Sequence, residues 1–353
     1  MFVKNAWYCA GWDYDVTLAR DSIVPRMIAG QRVVLYRKPD GGVVAFEDRC
    51  PHRQAALSLG RKEGSGLRCM YHGLRFNAAG VCDEVPGQEH IPERACVRAY
   101  PVVEKDNWIW IWLGDPQLAD PNLICFSVGP SDPNWSIRTS KMHVKANYRL
   151  EIANLADLGH LAWVHEKTVG GSRKYCEMKP KHTMTARGMN SQYWMRSIPP
   201  TAAVAHLFPP DMLVDLSFDI QHTIPCNWIM HFRVFSAGTA TEGESNGQLI
   251  MDSYTCQAVT PCDENSVDYY YAWGPSKATD VPGLADMLGK TLDIAFREDA
   301  NVLEAQHLRT KEEPGRRGVD INLDAGPGRM LWLLDKLLKE EAKVSAPASA
   351  LAG

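Results

Sequence analysis

Cys50-Pro51-His52 and Cys69-Met70-Tyr71-His72 bring two cysteines and two histidines into one short stretch, with sixteen residues between His52 and Cys69. Thiolates are soft ligands that hold iron together with bridging sulfide, and imidazole is a neutral, weaker donor. Two thiolates on one iron and two imidazoles on the other make a [2Fe-2S] cluster of raised reduction potential, which is an electron store. The same residue types also build a tetrahedral zinc site. Zinc spacing prefers Cys with Cys and His with His, whereas each pair here mixes the two.

A second constellation follows about ninety residues later, Asn154-x-x-Asp157-x-x-His160-x4-His165. Two imidazoles and one carboxylate on one face of an iron leave positions open for oxygen and substrate. Positions five apart on an α-helix point about 140° away from each other, so a regular helix cannot aim both histidines at one metal. The spacing predicts a π-type widening or a helix end between His160 and His165. The carboxylate must come from elsewhere. In the segment TLDIAFREDANVLEAQH, Leu292, Ala295, Phe296, Val302, Leu303 and Gln306 form one helical face with Asp299 near its middle. Asp293, Glu298 and Glu304 are expected to point away from it. A buried acid is costly unless paired or bound to metal, which selects Asp299 as third ligand; a salt-bridged core aspartate is the alternative. Asp157 reads either as a hydrogen-bond partner of a ligand histidine or as an exposed acid, and Asn154 is more ambiguous still.

The elements that must position these groups form an α+β chain. Residues 1–115 read as a domain of short strands, with a hairpin at Val33–Phe46 turning on Pro39-Asp40-Gly41-Gly42 and a second around Asn77–Gly80. Trp108-Ile109-Trp110-Ile111-Trp112 is apolar on both faces and predicts a buried strand. Prolines at 116, 121, 130 and 133 mark a boundary over 116–140. Residues 141–343 then read as a second domain: a helix at 150–165, strands to about 275, a long helix over 283–309, a loop at 314–329 and an amphipathic helix over 330–343. A disordered tail is expected at 344–353.

Thirty-eight basic and forty-two acidic residues leave a net charge of −4 without a basic block, which argues against nucleic acid as a partner. No apolar run reaches bilayer length and the N-terminus lacks the features of a secretory signal. The expectation is a cytoplasmic protein without a membrane partner. Eight of the ten cysteines have no histidine companion and read as reduced, mostly buried thiols.

Asn5-Ala6-Trp7-Tyr8, the two Cys/His loops, Asn154–His160 and the distant Asp299 together resemble the Rieske non-haem iron oxygenases. The loops lack the extra cysteines of the respiratory-complex type. The resemblance spans nearly the whole chain, and within the family it points to the group of vanillate and dicamba O-demethylases and toluenesulfonate methyl-monooxygenase. It implies an N-terminal Rieske [2Fe-2S] domain, a C-terminal helix-grip domain with mononuclear Fe(II), O2 as co-substrate, and a head-to-tail homotrimer. In that arrangement Asp157 joins His160 to a cluster histidine, His72, of the next subunit. The chain carries no nucleotide-binding glycine loop. An NAD(P)H-dependent flavin and iron–sulfur reductase is therefore the implied electron donor.

The substrate expected is a small aromatic molecule, either a methoxy-aromatic acid that is O-demethylated or an aryl methyl group that is hydroxylated. Ring dihydroxylation is an alternative outcome. An electron carrier without oxygenase activity would leave His160, His165 and Asp299 unexplained, and a helix-grip ligand carrier would leave the cluster ligands so. On the strand 227–234, Asn227, His231 and Arg233 share a face with Ile229, opposite Trp228, Met230, Phe232 and Val234. With the polar face inward, Arg233 holds a substrate anion; with that face outward, His231 and Arg233 meet solvent. Gln257 is a further pocket candidate, and Gly170–Lys181 reads as a loop over the entrance.

Overall fold

The computed structural model describes residues 1–345 except 226 and 245. The chain divides into two compact units, Met1–Ile124 with Thr260–Asp263, and Cys125–Val259 with the residues from Glu264 onward. The division falls inside the proline-rich segment, between Ile124 and Cys125.

In the first unit Trp108–Trp112 is buried along its whole length and pairs antiparallel with Trp7–Trp12 and Val102–Lys105. A four-stranded sheet contains the expected hairpin, Gln31–Arg37 with Val43–Glu47. Its turn is closed by Asp40, whose carboxylate accepts the Gly42 amide at 3.0 Å. A second four-stranded sheet carries Gly66–Arg68, Arg75–Phe76 and Cys82–Glu84. Val34, Tyr36, Phe46, Leu57, Leu67 and Phe76 make a dry core around Cys50 and Cys69. The two Cys/His loops therefore leave a rigid base.

Seven strands, in the second unit except for residues Thr260–Asp263, lie in the order Arg138–Val144, Ser266–Pro275, Leu249–Asp263, Asn227–Ser236, Val214–Thr223, Gly188–Ile198, Lys181–Thr185. Among the described residues three α-helices accompany them: α1 (Tyr148–Leu155), α2 (Leu284–Glu312) and α3 (Ala325–Ser345). The Asn147 side chain caps α1 by accepting the Arg149 amide. The 29-residue α2 buries Leu288, Leu292, Ala295, Phe296, Asp299, Ala300 and Leu303, and Phe296 packs against Tyr269 and Tyr271 at 4.9 and 4.8 Å.

Three expectations need correction. The helix foreseen at 150–165 ends at Leu155; His160 sits in a separate 3-10 turn, Gly159–Ala162, whose end falls between the two histidines, so the expected helix end is present there and no π-turn is needed. Val302 is half exposed and Gln306 exposed, because the buried stripe of α2 runs through Asp299 and Ala300 to Leu303 and His307. The helix foreseen at 330–343 begins at Ala325, following a 3-10 turn at Asn322–Asp324. That helix extends to Ser345; the rest of the expected tail lies outside the described residues.

Candidate metal centres

The two Cys/His loops repeat one backbone design. The Cys50 amide donates to the Ala55 carbonyl and the Gln54 amide to Cys50, while the Cys69 amide donates to Leu74 and the Gly73 amide to Cys69. Gln54 and Gly73 occupy the same place in each loop, and both have positive φ, +58° and +80°. Only the second position demands glycine, since a Cβ there would lie 2.7 Å from Pro86 Cγ. Cys50 and Cys69 are 2 % and 1 % exposed. Their histidine companions lie on the exposed rim, with ring centroids 4.5 Å apart. Burial pushes the Cys50 thiol up to about 11, and the neighbouring Cys69 adds to the rise. Two adjacent thiolates are costly there without a cation, and iron supplies one. Soft donors inside and imidazoles at the rim fit a Rieske cluster.

The second constellation closes at the end of α1. His160 Nδ1 bonds to the main-chain carbonyl of Asp157, and the Trp163 and Val164 amides both donate to the His160 carbonyl. The chain then turns so that the Thr168 and Gly170 amides meet the carbonyl of His165. These turns bring the two imidazoles to 5.2 Å between centroids. Asp299 of α2 faces both: its Oδ1 lies 3.6 Å from His160 Nε2 and its Oδ2 3.1 Å from His165 Nε2. One ligand atom from each of the three residues falls within 4.8 Å of the others. Asn154 Nδ2 donates to Asp299 Oδ1 at 3.1 Å, and its Oδ1 has no partner.

Both imidazoles have Nδ1 engaged elsewhere, which leaves Nε2 of each toward the shared point. Glu298, expected to point away, accepts from His165 Nδ1 at 2.8 Å. The helical wheel places it beside the stripe, but its longer side chain reaches around the imidazole. Burial lowers the His160 pKa; at His165 the opposing Asp299 and Glu298 outweigh burial and raise it. Glu151, fully buried one turn before Asn154, is pushed up to about 8 by burial and then by Asp299 and Glu304. Two imidazole nitrogens and a carboxylate in an acid-rich interior fit a divalent iron.

Asp157 also departs from expectation. Its carboxylate accepts the Gly159 amide at 2.6 Å, and its tie to His160 runs through its main-chain carbonyl instead. Burial raises its pKa.

Beside the triad opens a cavity with ≈ 670 Å³ of atom-free space, its mouth included. Phe218, Trp228, Met230, Phe232, Trp273 and Phe296 supply apolar walls. Gln257 lines it, together with Tyr175 from the Gly170–Lys181 segment and Val169 just before that segment. Asn227, His231 and Arg233 do not. The strand presents its Trp228/Met230/Phe232 face inward, while His231 stacks on Tyr254 at 4.3 Å, bonds Asp252 at 2.5 Å and borders a different cleft. Arg233 pairs with Asp219 on that same face. Asn227 is buried at the head of the strand. Sequence reasoning missed Trp228 and Thr255, whose Nε1 and Oγ1 have no partner in the cavity wall. The signal was available, because ligand cavities are mostly apolar with a few polar groups.

Residues 6–101 match the Rieske [2Fe-2S] domain family, and residues 144–340 match the vanillate O-demethylase oxygenase C-terminal domain family. The chain belongs to the Rieske non-haem iron oxygenases. It is 34 % identical to the iron–sulfur subunit of the toluene-4-sulfonate monooxygenase system of Comamonas testosteroni, over 98 % of this chain and 100 % of that protein. It is 31 % identical to the vanillate O-demethylase oxygenase subunit of a Pseudomonas species, over 99 % and 98 %. A crystal structure of dicamba monooxygenase bound to dicamba aligns with a TM-score of 0.85 at 31 % identity, covering 97 % of this chain and 99 % of that one. Another, with non-haem iron and dicamba, gives 0.78 at 30 % identity, with the same coverage. This Rieske oxygenase is accordingly a non-haem iron monooxygenase component that works with a [2Fe-2S] cluster, mononuclear iron and O2. Among the described residues no helix is long and apolar enough to cross a membrane.

Proposed function

We propose that this Rieske oxygenase oxidises a methoxy or methyl carbon of a small aromatic acid. The observation that carries the reading is the convergence of His160, His165 and Asp299 on the wall of an aromatic-lined cavity. Cys50, Cys69, His52 and His72 hold the cluster, and His160, His165 and Asp299 hold the mononuclear Fe(II). When bound, the two iron groups supply the electrons and the oxygen activation.

The chain's own residues do the rest. Phe218, Phe232 and Phe296 exclude water and clasp a flat ring. The Tyr269 hydroxyl donates to Gln257 Oε1, which turns the Gln257 amide N–H groups away from that bond. Trp228 lies directly across the sheet from Gln257, and Thr255 across from Met230. Three neutral donors thus share one wall, two without partners, and each buried unpaired donor costs about 1–3 kcal/mol. A carboxylate or sulfonate oxygen on the substrate satisfies them. Asn154 holds Asp299 Oδ1, fixing the carboxylate against the imidazoles. Hydroxylation of a methoxy carbon gives a hemiacetal that releases formaldehyde; an aryl methyl group gives a benzyl alcohol.

Electrons come from a separate NAD(P)H-dependent flavin and iron–sulfur reductase, and the enzyme works in the cytoplasm as a homotrimer. Asp157 carries the electron from His72 of a neighbouring copy to His160. Its half-buried carboxylate is anchored by the Gly159 amide while its main-chain carbonyl bonds His160 Nδ1, which ties the residue to the triad and supports that role. The test is oxygen consumption with such a reductase and a panel of methoxy- and methyl-substituted benzoates and benzenesulfonates. Substrate-dependent formaldehyde or hydroxymethyl product is expected; oxygen uptake that no aromatic acid stimulates contradicts the reading.

A further inference from the structure

The two imidazoles of the mononuclear site are oriented by different devices. His160 Nδ1 is held by a main-chain carbonyl, which no side-chain substitution removes. His165 Nδ1 is held by a side chain, Glu298 Oε2, at 2.8 Å. Glu298 and Asp299 are consecutive on α2, and together they address both nitrogens of one ring: Glu298 takes Nδ1 and Asp299 faces Nε2. The same Glu298 oxygen accepts the Thr168 hydroxyl at 2.8 Å. Thr168 is fastened in turn, since its amide donates to the His165 carbonyl and its own carbonyl accepts the Ala203 amide. The His165 side chain is 3 % exposed and that of Glu298 30 %. The carboxylate therefore approaches the buried ring from its solvent side.

We propose that Glu298, set in place by Thr168, is the positioning residue that fixes the Nδ1–H form of His165 and so directs its Nε2 lone pair at the iron. The inference rests on the iron-binding reading above. An anionic acceptor on Nδ1–H makes Nε2 a stronger donor, and partners of this kind are typically worth about 10–100-fold in metal affinity. A backbone carbonyl gives His160 orientation without that charge. His165 is thus the imidazole whose donor strength a side chain sets.

The experiment measures Fe(II) affinity of the cluster-loaded full chain, and the visible spectrum with Co(II) in the same site. Glu298→Ala is expected to weaken Fe(II) about 10–100-fold and to shift the Co(II) bands, with cluster absorbance unchanged. Glu298→Gln, which keeps an acceptor oxygen but no charge, should fall between wild type and Glu298→Ala. Thr168→Val should weaken binding less than Glu298→Ala does and add nothing in the Glu298→Ala background. Wild-type affinity and an unshifted Co(II) spectrum in Glu298→Ala overturn the proposal, provided that His165→Ala loses the metal in the same assay. If His165→Ala also binds as wild type, the mononuclear-site reading itself has failed. Equal losses in Glu298→Ala and Glu298→Gln, matched by equal drops in melting temperature, assign Glu298 to packing and overturn its positioning role.

Discussion

The two proposed iron-ligand sets use the same histidine side chain in opposite surroundings. In the first, backbone loops of matched hydrogen bonding bury the cysteines and leave His52 and His72 at the surface. In the second, the proposed ligands come from a turn and from a distant helix, and they face an aromatic-lined cavity. An electron store needs an exposed edge through which to exchange its charge. An oxidising site needs a dry interior where only the bound substrate is within reach. The contrast explains why the first is held by local main-chain geometry and the second by side chains from separate elements.

The sharpest way to break this division is to remove one set and keep the other. Asp299→Ala should abolish turnover and lose the mononuclear iron, while cluster absorbance and its reduction by dithionite persist. Cys69→Ser should abolish turnover with the complementary loss, iron retained at the triad and cluster absorbance gone; metal analysis and electron paramagnetic resonance read both. Loss of both metals in either variant would mean the two sites are not independent. Next in size is Asp157→Asn. It should retain both metals yet lower turnover by about 100-fold or more, measured as product formed per enzyme per unit time, because its effect lies in joining the sites; the size is of the order seen when a positioned charge is removed.

How much of this was legible in the sequence follows the same division. The paired Cys/His loops could be read because each is a local structure whose spacing reports its geometry, Cys50 to His52 and Cys69 to His72. Asp299 was legible as a charge on an apolar stripe. Glu298 was not, because a helical wheel records where a side chain leaves the backbone and not how far a glutamate can bend around a neighbouring ring. The strand at Asn227–Ser236 was assigned its alternation correctly, but alternation names two faces without saying which one meets the cavity. Trp228 and Ile229 are both buried there, so burial alone could not decide. The membership of Thr260–Asp263 in the first unit is a long-range return that no local pattern announces.

Smaller effects sharpen the account of the cavity. Gln257→Leu should raise KM for an aromatic acid by about 5–100-fold with kcat changed less, the size expected when a donor to a charged group is lost in a dry site. His231→Ala and Arg233→Ala, on the opposite face of the sheet and away from the cavity lining, should leave KM close to that of wild type. A large KM effect at Arg233 would reverse the assignment of the two faces.

The central claim is that electrons stored at the Cys/His loops are spent on an aromatic methyl or methoxy carbon beside His160, His165 and Asp299. A single-turnover experiment tests it without any reductase: the enzyme is reduced chemically, freed of reductant, and mixed with O2 and methoxy- or methyl-substituted aromatic acids. The prediction is that the cluster reoxidises together with formation of formaldehyde or hydroxymethyl product, in proportion to mononuclear iron, and that His160→Ala yields none. Reoxidation without product across the panel, or equal product from His160→Ala, would contradict it.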